Sequence, residues 1–136
     1  MAKTNAFKIA ELIRVFSYDT SNDEIVTDKK TRDKNTKRGN STRTSTTEFS
    51  LDTFAKTDFR AARYIVAMSQ GSDFHSTEVM LVHDGSAVTM TQYGTLKSSS
   101  LATFDADISG SDVRLLVTPA STSSTVIQFD RIVVDA

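Results

Sequence analysis

From Thr47 to the end of the chain, apolar and polar residues alternate in short runs separated by small polar turn residues, the pattern of half-buried strands. Thr47, Phe49 and Leu51 open one strand, and Tyr64 to Met68 form another before a turn at Gly71-Ser72-Asp73. The runs from His75 to His83 and from Ser86 to Tyr93 flank Asp84-Gly85. Asp-Gly is a favoured filling of a two-residue type I′ hairpin, because both central residues need positive φ. That turn predicts His83 opposite Ser86, Leu81 opposite Val88 and Val79 opposite Met90, with the last two pairs facing the core. Met80 and Val82 fall on the other face of the same strand. They are therefore candidate subunit-facing residues, covered by a second sheet or by a neighbouring copy.

A second hairpin is written around Gly110-Ser111, pairing Ile108 with Val113, Ala106 with Leu115 and Phe104 with Val117, and setting Asp107 against Arg114 on the opposite face. Pro119 ends that strand, residues 120–124 form a loop, and Val126 to Val134 close the domain. About seven short strands with turn signals roughly every 8 to 12 residues predict an all-β fold: an antiparallel β-sandwich, jelly-roll or immunoglobulin-like, over residues 47–136. A small closed barrel is the main rival.

The first 46 residues read differently. Within residues 1–27, Phe7 to Phe16 fits both a helix, with Ile9, Leu12, Ile13 and Phe16 on one stripe, and a strand; its Ala, Glu, Leu, Lys and Arg tilt the reading to helix. Residues 28–46 contain no apolar side chain and predict a mobile arm or long loop, since they cannot bury enough surface to offset ordering entropy. This stretch changes the meaning of the net charge of −1. Lys29, Lys30, Arg32, Lys34, Lys37, Arg38 and Arg43 stand against Asp28 and Asp33, a local sum of +5, whereas Thr44 to Ala136 carries six basic and eleven acidic residues, a sum of −5. A basic assembly arm reaching about 50 Å when extended is expected to bind the acidic domain of an adjacent copy or a surface beneath it. Nucleic acid is the least favoured partner, because the arm has no aromatic residue to stack on bases.

Candidate chemistry is sparse. There is no Cys, so neither disulfides nor a Cys-based zinc site is available. His75 and His83 share strand parity about 26 Å apart, too far to share a metal within one chain, and read as surface or hairpin-end residues. Asp105 and Asp107 lie on one strand face, but Arg114 offers Asp107 a partner and no calcium-loop spacing surrounds them. Gly71-Ser72, Gly85-Ser86 and Gly110-Ser111 are hairpin punctuation, not phosphate loops, and no Gly-x-Ser-x-Gly elbow occurs. No catalytic, metal-binding or cofactor-binding residue is expected, no cofactor, and no enzymatic activity. No apolar run approaches the ~20 residues of a membrane span, and the start lacks a signal-peptide core. A soluble protein made in a cytoplasm is expected.

The blocks from Ser69 to Gly85, from Asp107 to Ala120 and from Thr125 to Val134, taken in order, resemble a C-terminal β-rich module of virion structural proteins of tailed phages, especially phages of marine cyanobacteria. The resemblance covers about two-thirds of the chain. It implies a non-enzymatic structural protein located in the virion and synthesised in the host cytoplasm. Its place would be capsid decoration, as a cement protein, or the tail, with a host-surface or glycan-binding module of a tail fibre as the alternative. The implied partners are other virion proteins, a major capsid or tail protein, and further copies in a homo-oligomer such as a trimer, with no membrane partner.

Overall fold

The computed structural model describes residues 16–19, 24–27 and 35–136, and these contain ten strands. They are β1 (Phe16–Asp19), β2 (Glu24–Thr27), β3 (Thr36–Arg43), β4 (Phe49–Ala55), β5 (Phe59–Gln70), β6 (Asp73–His83), β7 (Val88–Lys97), β8 (Ala102–Ser109), β9 (Asp112–Pro119) and β10 (Thr125–Asp135). β1 and β2 pair only with each other among the described residues, and the chain divides into two units, residues 1–34 and 35–136. Phe16, counted with a helical stripe above, opens a strand; Phe7 to Val15 lie outside the described residues.

The second unit is an antiparallel sandwich of a five-stranded sheet, β3-β10-β5-β6-β7, over a three-stranded sheet, β4-β9-β8, and it does not close into a barrel. Period-two burial explains the layering: along β10 and most of β5 every second residue is buried. Tyr64, Val66, Val79, Leu81, Ile127 and Phe129 from one sheet meet Phe54, Val113, Leu115 and Val117 from the other in one hydrophobic core. Residues β-branched or aromatic at the inward positions favour this pleated geometry.

Three hairpins share one tip chemistry. Gly71-Ser72, Gly85-Ser86 and Gly110-Ser111 are the tip pairs, and each glycine has positive φ, at 60°, 100° and 63°. The Gly110-Ser111 hairpin has the expected register, with Ile108 opposite Val113, Ala106 opposite Leu115, Phe104 opposite Val117 and Asp107 opposite Arg114. The second differs from expectation by one residue. Asp84 is not at the tip but at the neck, where its N–H donates to the Ala87 carbonyl at 3.2 Å and its carboxylate accepts from the N–H groups of Ser86 and Ala87, both at 2.8 Å. Shifting the tip by one residue moves every cross-strand partner by two, so Leu81 faces Met90 and His83 faces Val88. The faces are unchanged because the shift is even. Hydrogen bonds from Ala87 and Ser86 hold the Asp84 carboxyl down at about 2.

Residues 36–43, expected as part of a free arm, are instead the edge strand β3, paired with β10 from Thr36 opposite Ile132 to Arg43 opposite Thr125. The sandwich therefore begins at about residue 35, not 47, and removing residues 28–43 would strip a sheet edge. The physical reason lies in long-range pairing: an all-polar strand gains nothing from its own pattern but satisfies the backbone groups of β10. Gly39 sits opposite Phe129, and a Cβ there would lie 2.5 Å from that ring. The aromatic ring thus covers the bare backbone of the edge glycine.

One buried carboxylate ties the layers together. Asp52 lies on β4 beside a register shift between Ser50 and Asp52, and its side chain is fully buried. Its Oδ2 accepts from Arg131 Nη1 at 2.7 Å and from the Tyr64 hydroxyl at 3.0 Å, and its Oδ1 accepts from Lys37 Nζ at 2.6 Å. β3, β5 and β10 of one sheet are therefore fastened to β4 of the other. The Arg131 guanidinium also lies 5.6 Å from the Phe54 ring centre and 5.8 Å from that of Phe59. Burial, and secondarily the Asp52 charge, push the Tyr64 hydroxyl well above the usual tyrosine range.

Removing one partner from a buried charge pair leaves the other uncompensated, so Asp52→Ala is expected to lower the unfolding free energy by about 3–5 kcal/mol, read from urea denaturation. Combining Asp52→Leu with Arg131→Met is expected to recover most of that loss, because the apolar pair leaves no stranded charge.

Candidate functional site

The exposed large apolar residues among the described residues all lie on strands of the five-stranded sheet. Cross-strand pairing aligns Val134, Ala61 and Val82 in one row and Ile132, Arg63 and Met80 in the next, on β10, β5 and β6 in turn. Ile65 stands in a third row between Asp130 and Glu78. Val134 is 63% exposed, Ile132 56%, Ile65 49%, and Met80 and Val82 46% each. Scattered exposed apolar residues are ordinary, but these are neighbours across three strands. Met80 and Val82 thus lie on the face that the strand parity assigned to them, and the three-stranded sheet of the sandwich packs on the opposite face.

A band of ion pairs crosses this face. Arg63 donates to Glu78 through Nε at 2.9 Å and Nη2 at 2.6 Å, and Arg38 Nε donates to Asp130 at 2.8 Å. Glu78 is held below the usual carboxylate range by the Tyr93 hydroxyl and by Arg63. Exposed pairs of this kind contribute about 0–1 kcal/mol each, so their main effect is to fix side-chain positions. Beyond the band, Arg38, Asn40, Gln128, Asp130, Ile65 and Ala67 line an open bowl of about 350 Å³.

The seven cations expected on the arm do not share one fate. Lys37 is bonded to Asp52, Arg38 to Asp130, and the Arg43 guanidinium lies 3.9 Å from the Phe49 ring centre, so these three are engaged by the sandwich itself. Lys29, Lys30, Arg32 and Lys34 lie outside the described residues.

Both histidines are buried, at 2% and 3% exposure, which corrects the expectation of surface residues. They sit on the inward face of β6 with Thr77, Val79 and Leu81, and their parity carries them into the core. His75 Nδ1 accepts from the Leu101 N–H at 3.3 Å, and His83 Nε2 lies 2.7 Å from the Phe59 carbonyl. His75 Nε2 and His83 Nδ1 have no hydrogen-bond partner. Burial, and then the charge of Lys97, depress the His75 pKa. Asp107 accepts from Arg114 Nε at 2.8 Å, the cross-strand pair that the register required. Among the described residues no cluster of His, Asp and Glu could hold a metal ion, and no helix is long and apolar enough to cross a membrane.

No family model and no curated protein matches the sequence. Among solved structures, similarity is found to the tailspike protein of Acinetobacter baumannii phage AM24, with a TM-score of 0.47 and 9% identity over 74% of this chain and 26% of that one. The tailspike of Acinetobacter phage vB_ApiP_P1 gives 0.47 and 13% over 72% and 21%. The tailspike of A. baumannii phage Fri1, described as a capsular polysaccharide depolymerase, gives 0.33 and 12% over 96% and 22%. This chain spans about a quarter or less of the length of each. At such scores the likeness assigns no site or role, and it contains nothing of the marine-cyanophage association. The expectation of a non-enzymatic protein is nevertheless withdrawn, because one of the similar structures is described as an enzyme.

Because the His75 pKa is lower in the folded chain than its ordinary 6.5, the unfolded chain binds more protons as pH falls below that value. Stability is therefore expected to be level above about pH 6.5 and to decline below it, down to the depressed folded pKa. His75→Gln should flatten that decline in urea unfolding measured between pH 7 and pH 5.

Proposed function

We propose that this chain is a tail-associated component of a phage particle, held to another virion protein through the outer face of its five-stranded sheet. The observation that carries the reading is the exposed apolar set Val134, Ala61 and Val82 in one row with Ile132 and Met80 flanking Arg63 in the next, bordered by the Arg63–Glu78 ion pair. A sheet face of this composition gains stability when another protein covers it. The ordered resemblance of residues 69–134 to a tailed-phage virion module supports the location. Lys29, Lys30, Arg32 and Lys34 supply a second, electrostatic contact to an acidic surface of the same assembly.

A second reading is favoured by the bowl beside the ion-pair band. Asn40 and Gln128 offer amide donors and acceptors, Arg38 and Asp130 a paired cation and anion, and Ile65 and Ala67 an apolar floor. That combination suits a sugar ring, with hydroxyls against the amides and C–H groups against the floor. In this reading the module binds a host-surface glycan.

Val82→Asp with Val134→Asp is expected to leave the purified protein folded but absent from purified particles by immunoblot, whereas the unsubstituted protein is present and labels the tail in electron micrographs. Label on the capsid shell would overturn the tail assignment. Binding to a glycan array that is abolished by Asn40→Ala with Gln128→Ala would instead favour the second reading.

A further inference from the structure

The sandwich has four free strand edges among the described residues, and they are not equally protected. Unpaired N–H and C=O groups on an edge invite another strand, and folded proteins discourage this with charges, inward-pointing charged residues, prolines or bulges. β3 carries Lys37, Arg38 and Arg43. β4 turns Asp52 inward beside its register shift, and β8 carries Asp105 and Asp107. β7 is the exception. Its single charge is Lys97 at its last position, and its irregularity, where Ser76 pairs with Leu96 and Glu78 with Tyr93, is confined to its second half around Gly94 at φ 61°.

The first half of β7, Val88 to Tyr93, is regular, uncharged and free of proline. Thr89, Thr91 and Tyr93 pair with Val82, Met80 and Glu78 on the outward face. Val88 and Met90 point inward and are only partly buried against the core, so the hydrophobic layer ends unsealed at this edge. β-branched and aromatic residues suit further pairing.

We propose that two copies of this chain join through β7, antiparallel and centred within Val88–Tyr93, to make one continuous ten-stranded sheet across a two-fold axis. The occupant is a second copy because the segment is electrically self-compatible: residues 88–96 are uncharged, whereas β3 would set Lys37, Arg38 and Arg43 of one copy against those of the other, and β8 would do the same with Asp105 and Asp107. A two-fold axis perpendicular to the sheet requires directly opposed residues to share a face, so Met90 or Thr91 lies opposite its own copy. The two Met90 side chains then close the open end of each core. The two outer faces lie on the same side of the joined sheet, presenting Met80 and Val82 of both copies together. This joins copies in pairs, where the sequence suggested a trimer, and it does not depend on where in a particle the protein sits.

Sedimentation velocity of the full chain over a concentration series tests it. The unsubstituted protein is expected to dimerise, and Thr89→Lys with Thr91→Lys to weaken the dimer at least about tenfold, while Val82→Asp, on the outer face, leaves it intact. A chain that stays monomeric at every concentration overturns the proposal, as does a dimer that survives the lysine pair. Should the lysine variant fail to fold, amide exchange on the unsubstituted protein decides: protection of Val88–Tyr93 that rises with concentration supports β7 pairing, and protection independent of concentration overturns it. Loss of particle incorporation with dimerisation retained would bear on the proposed function alone.

Discussion

The arrangement of the sandwich depends on one carboxylate taken out of water. Asp52 has a fully buried side chain and accepts from Lys37, Tyr64 and Arg131, of which Tyr64 and Arg131 hold the buried oxygen from β5 and β10. An ionised group in such a place costs several kcal/mol unless matched, so alternative packings of the two sheets that separate it from Arg131 are strongly disfavoured. Hydrophobic burial supplies the general attraction between the layers, but it is tolerant of sliding. The charge network selects one alignment out of those that burial would accept.

Much of this was legible in the chain. The β-branched and aromatic run from Val126 to Val134 announces β10, and Gly110-Ser111 set its hairpin correctly. The Gly85-Ser86 tip was misplaced by one residue because Asp-Gly is itself a strong turn signal; the repeated Gly-Ser pair was the better guide. β5 begins at Phe59, five residues before its β-rich stretch, because Arg60, Ala61, Ala62 and Arg63 have little strand preference and are held by β6 and β10 on either side. β3 was unreadable for a similar reason, its strand character being conferred by a partner about 90 residues away. The Asp52 network did leave a trace: Arg131 has the inward parity of Phe129 and Val133, and an isolated cation on an apolar face calls for a buried anion.

The two faces of the five-stranded sheet differ in what they are committed to. Inward positions are committed to the core and to Asp52, so specificity toward other molecules is left to the outward rows and to the edges. The ion-pair band divides the outward face into an apolar part and a polar part.

β3 hangs from a single neighbour and contributes little to the core. Its release would carry off Lys37 but leave Asp52 still bonded to Arg131 and Tyr64, a neutral set, so no charge would be stranded inside. The strand is therefore a separable local-unfolding unit: it can fray and re-anneal while the two layers stay joined, which places a weakly held segment directly after residues 28–34.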